Sequence, residues 1–403
     1  MNSKIFGATI ATLRKKNGMT QTALAKKLQV SDKAVSKWET GLGFPEITLL
    51  PKIAEVFGVT VDYLITSERR GITLAGNLIV DIVKDVDCYP KIGMLSNIST
   101  VTKAVGGCAC NVAVDLAKMD GTIPLSVVGC VGDDEYGRYM ISQLQRYNID
   151  TGSVRVTEAA PTSFSDVISL PTGERTFFHA RGANALFAPE DISLSKLNCS
   201  ILHIGYILLL DMFDKEDPEF GTVMARFLHR VQETGIKTSV DVVSDSSGAF
   251  SEKIIPALKY CDYVIINEIE CCSIWELNPR NEDGSLNHDV IRDAMERTMS
   301  CGVKEKVVVH CKEAGFCLDC CGEFTVIASL KLDPKQIKGS VGAGDAFCAG
   351  CLYSIYQGFS DNQMLEYASA AAACNLFSEN AVDGMRSRQE IFQMMQQYPR
   401  QSL

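Results

Sequence analysis

From residue 72 onward, short apolar runs alternate with stretches of helical period, and that alternation leaves the chain few folds to choose from. Strand-like runs fall at 72–83, 124–130, 201–204, 237–243, 263–266 and 306–310, and helical patterns at 109–118, 134–147, 221–234, 288–299, 346–357 and 362–377. The strand-like runs are almost continuously apolar, as expected of strands covered on both faces. Strand and helix in turn predict an α/β fold with a doubly wound, mostly parallel sheet. Ligands of such sheets bind beyond the carboxyl ends of the strands, so the strand-to-helix turns are where chemistry is to be sought.

The first 70 residues read differently, as short amphipathic helices separated by turn signals. A helix at 5–16 stops at Asn17-Gly18, Thr20 caps a second at 21–28, and Gln29-Val30 turn the chain. Ser31 then caps a third helix with Asp32, Lys33, Ser36 and Lys37 on one side and Ala34, Val35 and Trp38 facing inward. Two short helices so joined make a helix-turn-helix. The charge separates along the same line. The chain carries a formal −10, yet residues 1–70 hold 11 basic and 6 acidic side chains, +5, leaving −15 on the rest. Any nucleic-acid contact is therefore expected from the head alone. The polar stretch Thr66 to Gly71 reads as a short linker, giving a head over 1–66, a linker over 67–72 and a body over 73–398.

Residues 19–41, MTQTALAKKLQVSDKAVSKWETG, followed by LPKIAEVFGVTVDYLI at 50–65, resemble the phage-repressor type of helix-turn-helix. The resemblance implies that the third helix enters the major groove of double-stranded DNA. Gln21, Asp32, Lys33 and Lys37 match the DNA-facing positions, and Ser36 lies among them. One head covers only a half-site, so a homodimer is expected.

Sixteen cysteines require a compartment before a chemistry. No charged, apolar and small-residue series resembling a secretory signal opens the chain, and no apolar run nears the roughly 18–20 residues that span a bilayer. A cytoplasmic protein with reduced cysteines and no membrane association is expected. The pairs Cys271-Cys272 and Cys320-Cys321, and the CxxC spacings Cys317/Cys320 and Cys348/Cys351, fall inside apolar patterns and read as buried small side chains rather than zinc ligands.

The most informative turn is Gly339-Ser340-Val341-Gly342-Ala343-Gly344-Asp345, which runs straight into a helix. Small residues let successive amides converge, and the helix N-terminus adds its positive dipole end, which together suit anionic oxygen. The pattern is neither a P-loop nor a dinucleotide fingerprint. Asp345 stands at the mouth of this anion site, where a carboxylate can take a hydroxyl proton during phosphoryl transfer. A second glycine turn, Gly106-Gly107, opens the helix carrying Asn111, and Asp81 is expected to end the first strand of the body.

With Val131-Gly132-Asp133-Asp134-Glu135-Tyr136-Gly137 and the NxxE element from Asn267 to Glu270, these motifs stand in the order of the ribokinase-like (pfkB) carbohydrate kinases, which the body resembles over 74–397. The resemblance implies an ATP-dependent sugar kinase with Asp345 as general base and the amides of Gly342, Ala343 and Gly344 as the anion hole. It places Asp81, Gly106, Gly107 and Asn111 at the sugar, and Gly315 and Ser369 at the nucleotide. Asn267 and Glu270 would order Mg2+ through its waters, with no direct protein ligand. A small β-lid is implied at 85–103 and 164–181. Gly339-Ser340 stand where the family has Asp-Thr, which argues against monovalent-cation activation, and His310, Lys312 and Asn380 also depart from the pattern. Arg175 is either a lid contact to substrate or a hairpin-tip residue; His203 and His310 read as core histidines. A nucleoside kinase, or a sugar- or nucleotide-sensing transcription regulator with weak catalysis, would share the same motifs.

Overall fold

Side-chain caps set the helix starts of the head. Asn2 Oδ1 accepts from Lys4 N at 3.0 Å, Thr20 Oγ1 from Ala23 N at 3.1 Å, Ser31 Oγ from Ala34 N at 3.2 Å and Thr60 Oγ1 from Tyr63 N at 3.2 Å. Each such cap contributes about 1 kcal/mol. They open α1 (Ser3–Lys16), α2 (Gln21–Leu28), α3 (Asp32–Glu39) and α5 (Val61–Thr66), while α4 (Leu50–Phe57) starts with a proline in its first turn. Gln29 and Gly58 end α2 and α4 in the left-handed conformation. Phe6, Ile10, Leu24, Val35, Ile53 and Leu64 form the sealed centre of this bundle. The α2–α3 arrangement is the helix-turn-helix the sequence predicts.

The structure, a computed structural model, describes residues 2–172, 174–194, 196–243 and 250–403. Where the expected head, lid and body span Met1, Gly173, Ser195 or 244–249, they lie outside the described residues. The chain divides into two units, Met1–Gly71 with Ser193–Ser200, and Ile72–Ile192 with Ile201–Leu403. No helix among the described residues is long and apolar enough to cross a membrane.

The second unit begins with β1 (Ile72–Ala75), β2 (Ile79–Val86), β3 (Ile98–Gly106), α6 (Cys108–Met119), β4 (Leu125–Gly132), α7 (Glu135–Arg146), β5 (Asp150–Thr157), β6 (Phe164–Ser169) and β7 (Arg175–Ala180). It continues through β8 (Ile201–Ile207), the short pair β9 (Glu216–Asp217) and β10 (Gly221–Thr222), α8 (Val223–Glu233), β11 (Lys237–Val242), α9 (Phe250–Leu258), β12 (Tyr263–Asn267), α10 (Glu268–Ser273) and α11 (His288–Ser300). It closes with β13 (Lys306–His310), β14 (Ala314–Asp319), β15 (Phe324–Ala328), α12 (Ala343–Gln357), α13 (Asp361–Asn375) and α14 (Arg388–Gln397). Among the described residues the main sheet has nine strands in the order β15-β14-β13-β12-β11-β8-β1-β4-β5. It is parallel from β13 to β5, and β14 and β15 add antiparallel strands at one edge. Residues of α6, α12 and α13 belong to one large buried core with the sheet. The doubly wound, mostly parallel α/β fold is as expected.

A smaller sheet in the order β3-β2-β6-β7 forms the lid. Here the expectation of one strand over 72–83 is corrected, because the run divides into β1 in the main sheet and β2 in the lid. The break comes at Gly76, whose φ is 143°, and where a Cβ would lie 2.8 Å from Gly205 O. Asp81 is consequently the third residue of an inner strand of the lid rather than the end of the first core strand. The first lid segment starts at Ile79 and ends at Gly106, wider than the expected 85–103. A second correction concerns Cys320 and Cys321, which are exposed at the turn between β14 and β15, whereas Cys271, Cys272, Cys317, Cys348 and Cys351 are buried as expected. The whole turn from Cys320 to Glu323 is exposed.

Candidate active site

Two helices begin on glycines instead of side-chain caps, and they meet. Gly107 (φ 84°) precedes α6 and Gly342 (φ 78°) precedes α12, neither with a side chain bonded to the first turn. A Cβ on Gly342 would lie 2.5 Å from Ala381 O, so the turn requires glycine on both conformational and steric grounds. First-turn amides have no partner within their helix, which suits the α12 end to anionic oxygen. The amide of Ala343 is an exception. It closes the turn on Ser340 O at 3.2 Å, so Gly344 and Asp345, at the next two helical positions, are better disposed to offer amides.

Asp345 is buried in the first turn of α12, where Asn111 Nδ2 of α6 donates to its Oδ2 at 2.8 Å and Tyr206 Oη to its Oδ1 at 3.4 Å. Burial raises the Asp345 pKa above the ordinary carboxylate value, and the bonds from Asn111 and Tyr206 oppose that rise. Tyr206 sits at the end of β8 with φ 65°, and its amide is held by Oδ1 of Asp241 on β11. Neither Tyr206 nor Asp241 was expected from the sequence. A carboxylate interrupting the apolar run at the carboxyl end of β11 is the signal that marks Asp241.

Asp81 approaches from the lid. Its carboxylate lies against Gly106, where a Cβ would overlap Oδ2. Burial, reinforced by the charge of Asp345 and opposed by Arg175, raises its pKa to about 7. Arg175, left open between two roles by the sequence, starts β7 and donates from Nη2 to Glu379 O at 2.9 Å.

Two cavities adjoin at the start of α12. One is lined by Tyr206, Asp241, Asn267, Glu270, Gly342 and Asp345. The other, of about 580 Å³, is lined by Lys312, Leu330, Ser340, Ala343, Phe347 and Ser369 among others, a volume suited to a small organic ligand. Asn267, His310 and Gly344 line both. His310 is thus corrected from a core residue to a cavity-wall residue; its ring packs tilted against Phe347 with centroids 4.9 Å apart, and burial lowers its pKa to about 4. His203 is fully buried, as expected. Gly315 is not brought to the wall. It pairs with His310 across β13 and β14, and a Cβ there would lie 3.0 Å from Phe347 Cζ.

Asn267 and Glu270 form a reciprocal cap on α10, Asn267 Oδ1 accepting from Glu270 N at 2.8 Å and Glu270 Oε2 from Asn267 N at 3.0 Å. With Asp241 they give the first cavity an all-oxygen set of two carboxylates and an amide, which fits a hydrated Mg2+.

On the head, Asp32, Lys33 and Lys37 are exposed along α3 and Ser36 is half-buried. Gln21 is half-buried, and its Nε2 is committed to Glu39 Oε2 at 2.8 Å.

The geometry agrees with comparison to known proteins. The chain is 24% identical to a ribokinase of Arabidopsis thaliana over 326 residues, covering 80% of each chain. It is 25% identical to fructokinase-1 of Oryza sativa subsp. japonica over 337 residues, covering 80% of this chain and 96% of that one. In fold it is similar to the structure of Arabidopsis thaliana ribokinase complexed with ribose and ATP, with a TM-score of 0.67, 20% identity, and coverage of 81% of this chain and 99% of that one. A nucleoside kinase of Methanocaldococcus jannaschii has a TM-score of 0.63 at 19% identity, with 82% and 99% covered. Residues 10–64 match the helix-turn-helix pattern and residues 73–388 that of the pfkB family carbohydrate kinases, so the chain belongs to the pfkB family and carries a helix-turn-helix ahead of its kinase fold.

Proposed function

We propose that the body, taken as 73–398, transfers the γ-phosphoryl group of ATP to a hydroxyl of a sugar. The observation that carries this reading is the place of Asp345, buried at the uncapped N-terminus of α12 where the two cavities adjoin. A sugar beside Asp345, held by Asp81 and Asn111 next to Gly106 and Gly107, would present its hydroxyl to Asp345, which takes the proton as the oxygen attacks phosphorus. ATP would occupy the second cavity near Ser369 and Lys312, with its γ-phosphate at the glycine turn. The amides of Gly342 and Gly344, joined by that of Asp345, stabilise the charge on the transferring group. Mg2+, held through water by Asn267 and Glu270, supplies charge neutralisation on the phosphates when bound. The lid strands close over the sugar and exclude water.

The head, 1–66, reads DNA through Lys33, Lys37, Ser36 and Asp32, with Gln21 fixing the backbone register, and the linker 67–72 joins it to the body. Two copies are needed to cover a full operator, so a cytoplasmic homodimer that couples sugar phosphorylation to transcription is part of the reading. A coupled assay over a panel of sugars and nucleosides tests the kinase. The mechanism requires Asp345→Asn to lower kcat by roughly 10²–10⁴-fold while ATP still binds; unchanged turnover refutes it. Operator binding measured with and without sugar and ATP tests the coupling, and identical affinities refute that part alone.

A further inference from the structure

The wall of the second cavity carries a side chain that phosphoryl transfer does not use. Gln401 lines this cavity from a segment that runs antiparallel to the chain just beyond β15. The segment is pinned from several sides. Lys331 N donates to Pro399 O at 2.7 Å and Gln401 N to Ser329 O at 2.8 Å, while Arg400 pairs with Leu330 in a β-bridge. The Arg400 side chain adds a bond from Nη1 to Ala328 O at 2.6 Å and an ion pair with Glu366 of α13 at 3.5 Å.

The side-chain amide of Gln401 is held in one orientation. Its Nε2 donates to Lys312 O at 3.3 Å and faces Leu330 O at 3.5 Å. Both partners are carbonyl oxygens, so the nitrogen belongs on that side of the amide. Oε1 makes no bond among the described residues and is left as an acceptor for a ligand. The cavity also has a direction. Its phosphate end is where the two cavities adjoin, at Asn267, His310 and Gly344. Leu330, Leu332, Ile337, Ala372 and Leu376 give the remaining wall an apolar character suited to the faces of a flat ring. Because the amide sits against the Leu330 carbonyl, it belongs to this apolar end.

We propose that Gln401 selects the base of the nucleotide, its Oε1 accepting a hydrogen bond from the exocyclic amine of adenine. This inference rests on the reading of the second cavity as the ATP site. A keto oxygen at the same ring position, as in guanine or hypoxanthine, would set its lone pairs against those of Oε1. The amide cannot turn Nε2 toward such an oxygen without giving up the Lys312 and Leu330 carbonyls. A mismatched base therefore leaves polar groups unpaired, the condition under which a single hydrogen-bonding group discriminates between ligands. Gln401 touches the base and not the reacting atoms, so it acts on nucleotide affinity and leaves the transfer step to the glycine turn and Asp345.

The test is calorimetric titration of the full chain with ATP, inosine triphosphate and GTP in the presence of Mg2+. Inosine triphosphate differs from ATP only in carrying a keto group in place of the amine. The native chain should bind ATP about 10-fold more tightly than either competitor. Gln401→Met keeps the bulk of the wall without the amide. It should weaken ATP by about 10-fold and leave inosine triphosphate unchanged, so that the ratio of the two falls toward one. Ser402→Ala, at an exposed neighbour, should keep the native ratio. With a phosphorylated sugar in hand, Gln401→Met should raise KM for ATP and preserve kcat. Equal affinity of the native chain for ATP and inosine triphosphate, a comparison that needs no variant, would overturn the proposal and leave the kinase reading standing. An unchanged ratio in Gln401→Met would do the same. Binding of none of the three nucleotides would overturn both.

Discussion

Asn111 and Asp345 are 234 residues apart in the chain and 2.8 Å apart in the fold, the amide of one donating to the carboxylate of the other. Each stands at or near the start of a helix that begins on a glycine, so the bond joins two N-terminal ends over one site. The bond favours the charged form of Asp345 against the burial that disfavours it. Asn111→Ala should therefore raise the Asp345 pKa further. Because the base of the proposed transfer has to be deprotonated, the acidic limb of the kcat/KM profile should move to higher pH. At neutral pH, loss of a hydrogen bond to a charged group should lower kcat/KM by about 10- to 100-fold. A pH–rate profile checks both, and an unmoved acidic limb would separate Asn111 from the base.

How much of this site the sequence disclosed follows from how each part is encoded. The turn around Gly342 and the one at Gly107 are local patterns, readable because glycine and a following helix are contiguous. The strand Lys306–His310 and the helix starts at Thr20 and Ser31 were equally local and are found where expected. Asp241 and Tyr206 were missed because they act at strand ends, inside runs whose apolar neighbours read as core, and their meeting depends on β8 and β11 lying side by side. Asp81 was recognised but placed on the wrong element, since a continuous apolar run hides the turn at Gly76. The edge strands β14 and β15 lack the alternation with helices that made the others visible.

Asp81 carries a cost to stability alongside the sugar-binding role proposed for it. Its pKa in the fold is about 7 against an ordinary 3.8, so the folded state holds its proton more tightly than the unfolded chain. The stability this gives is fully present below about pH 4 and is lost as pH rises toward 7. Asp81→Asn should thus melt at a higher temperature than the native chain at pH 8, with the difference shrinking toward pH 4. Its KM for sugar should rise about 10- to 100-fold, the loss of a charge-assisted hydrogen bond. Melting curves across pH, paired with kinetics, check the two effects separately.

Gly106→Ala probes the same carboxylate by steric means. The added methyl would overlap Asp81 Oδ2, so Asp81 must turn away or the strand pair must part. A cost of about 1–3 kcal/mol in stability is expected, with a rise in KM and a smaller change in kcat. Combining it with Asp81→Asn should give less than the sum of the two KM effects, and strict additivity would show that the methyl acts elsewhere.

In the head, Arg14 on α1 grips Glu39 on α3 through two bonds, Nε–Oε1 at 2.6 Å and Nη2–Oε2 at 2.9 Å, with side chains only 11% and 7% exposed. Burial works against the Glu39 charge, yet the bonds from Arg14 and Gln21 hold its pKa below the ordinary value. Arg14→Leu leaves that carboxylate buried with Gln21 as its remaining bonded side chain, and should destabilise the head by about 3–5 kcal/mol. Arg14→Leu with Glu39→Leu removes both charges, and because a well-packed apolar pair can replace a buried ion pair at little cost, much of the loss should be recovered. Calorimetry of the full chain should show the head's transition falling in the single variant and returning in the double, while the kinase transition stays in place. DNA affinity should follow the head's transition, and sugar turnover should follow neither variant.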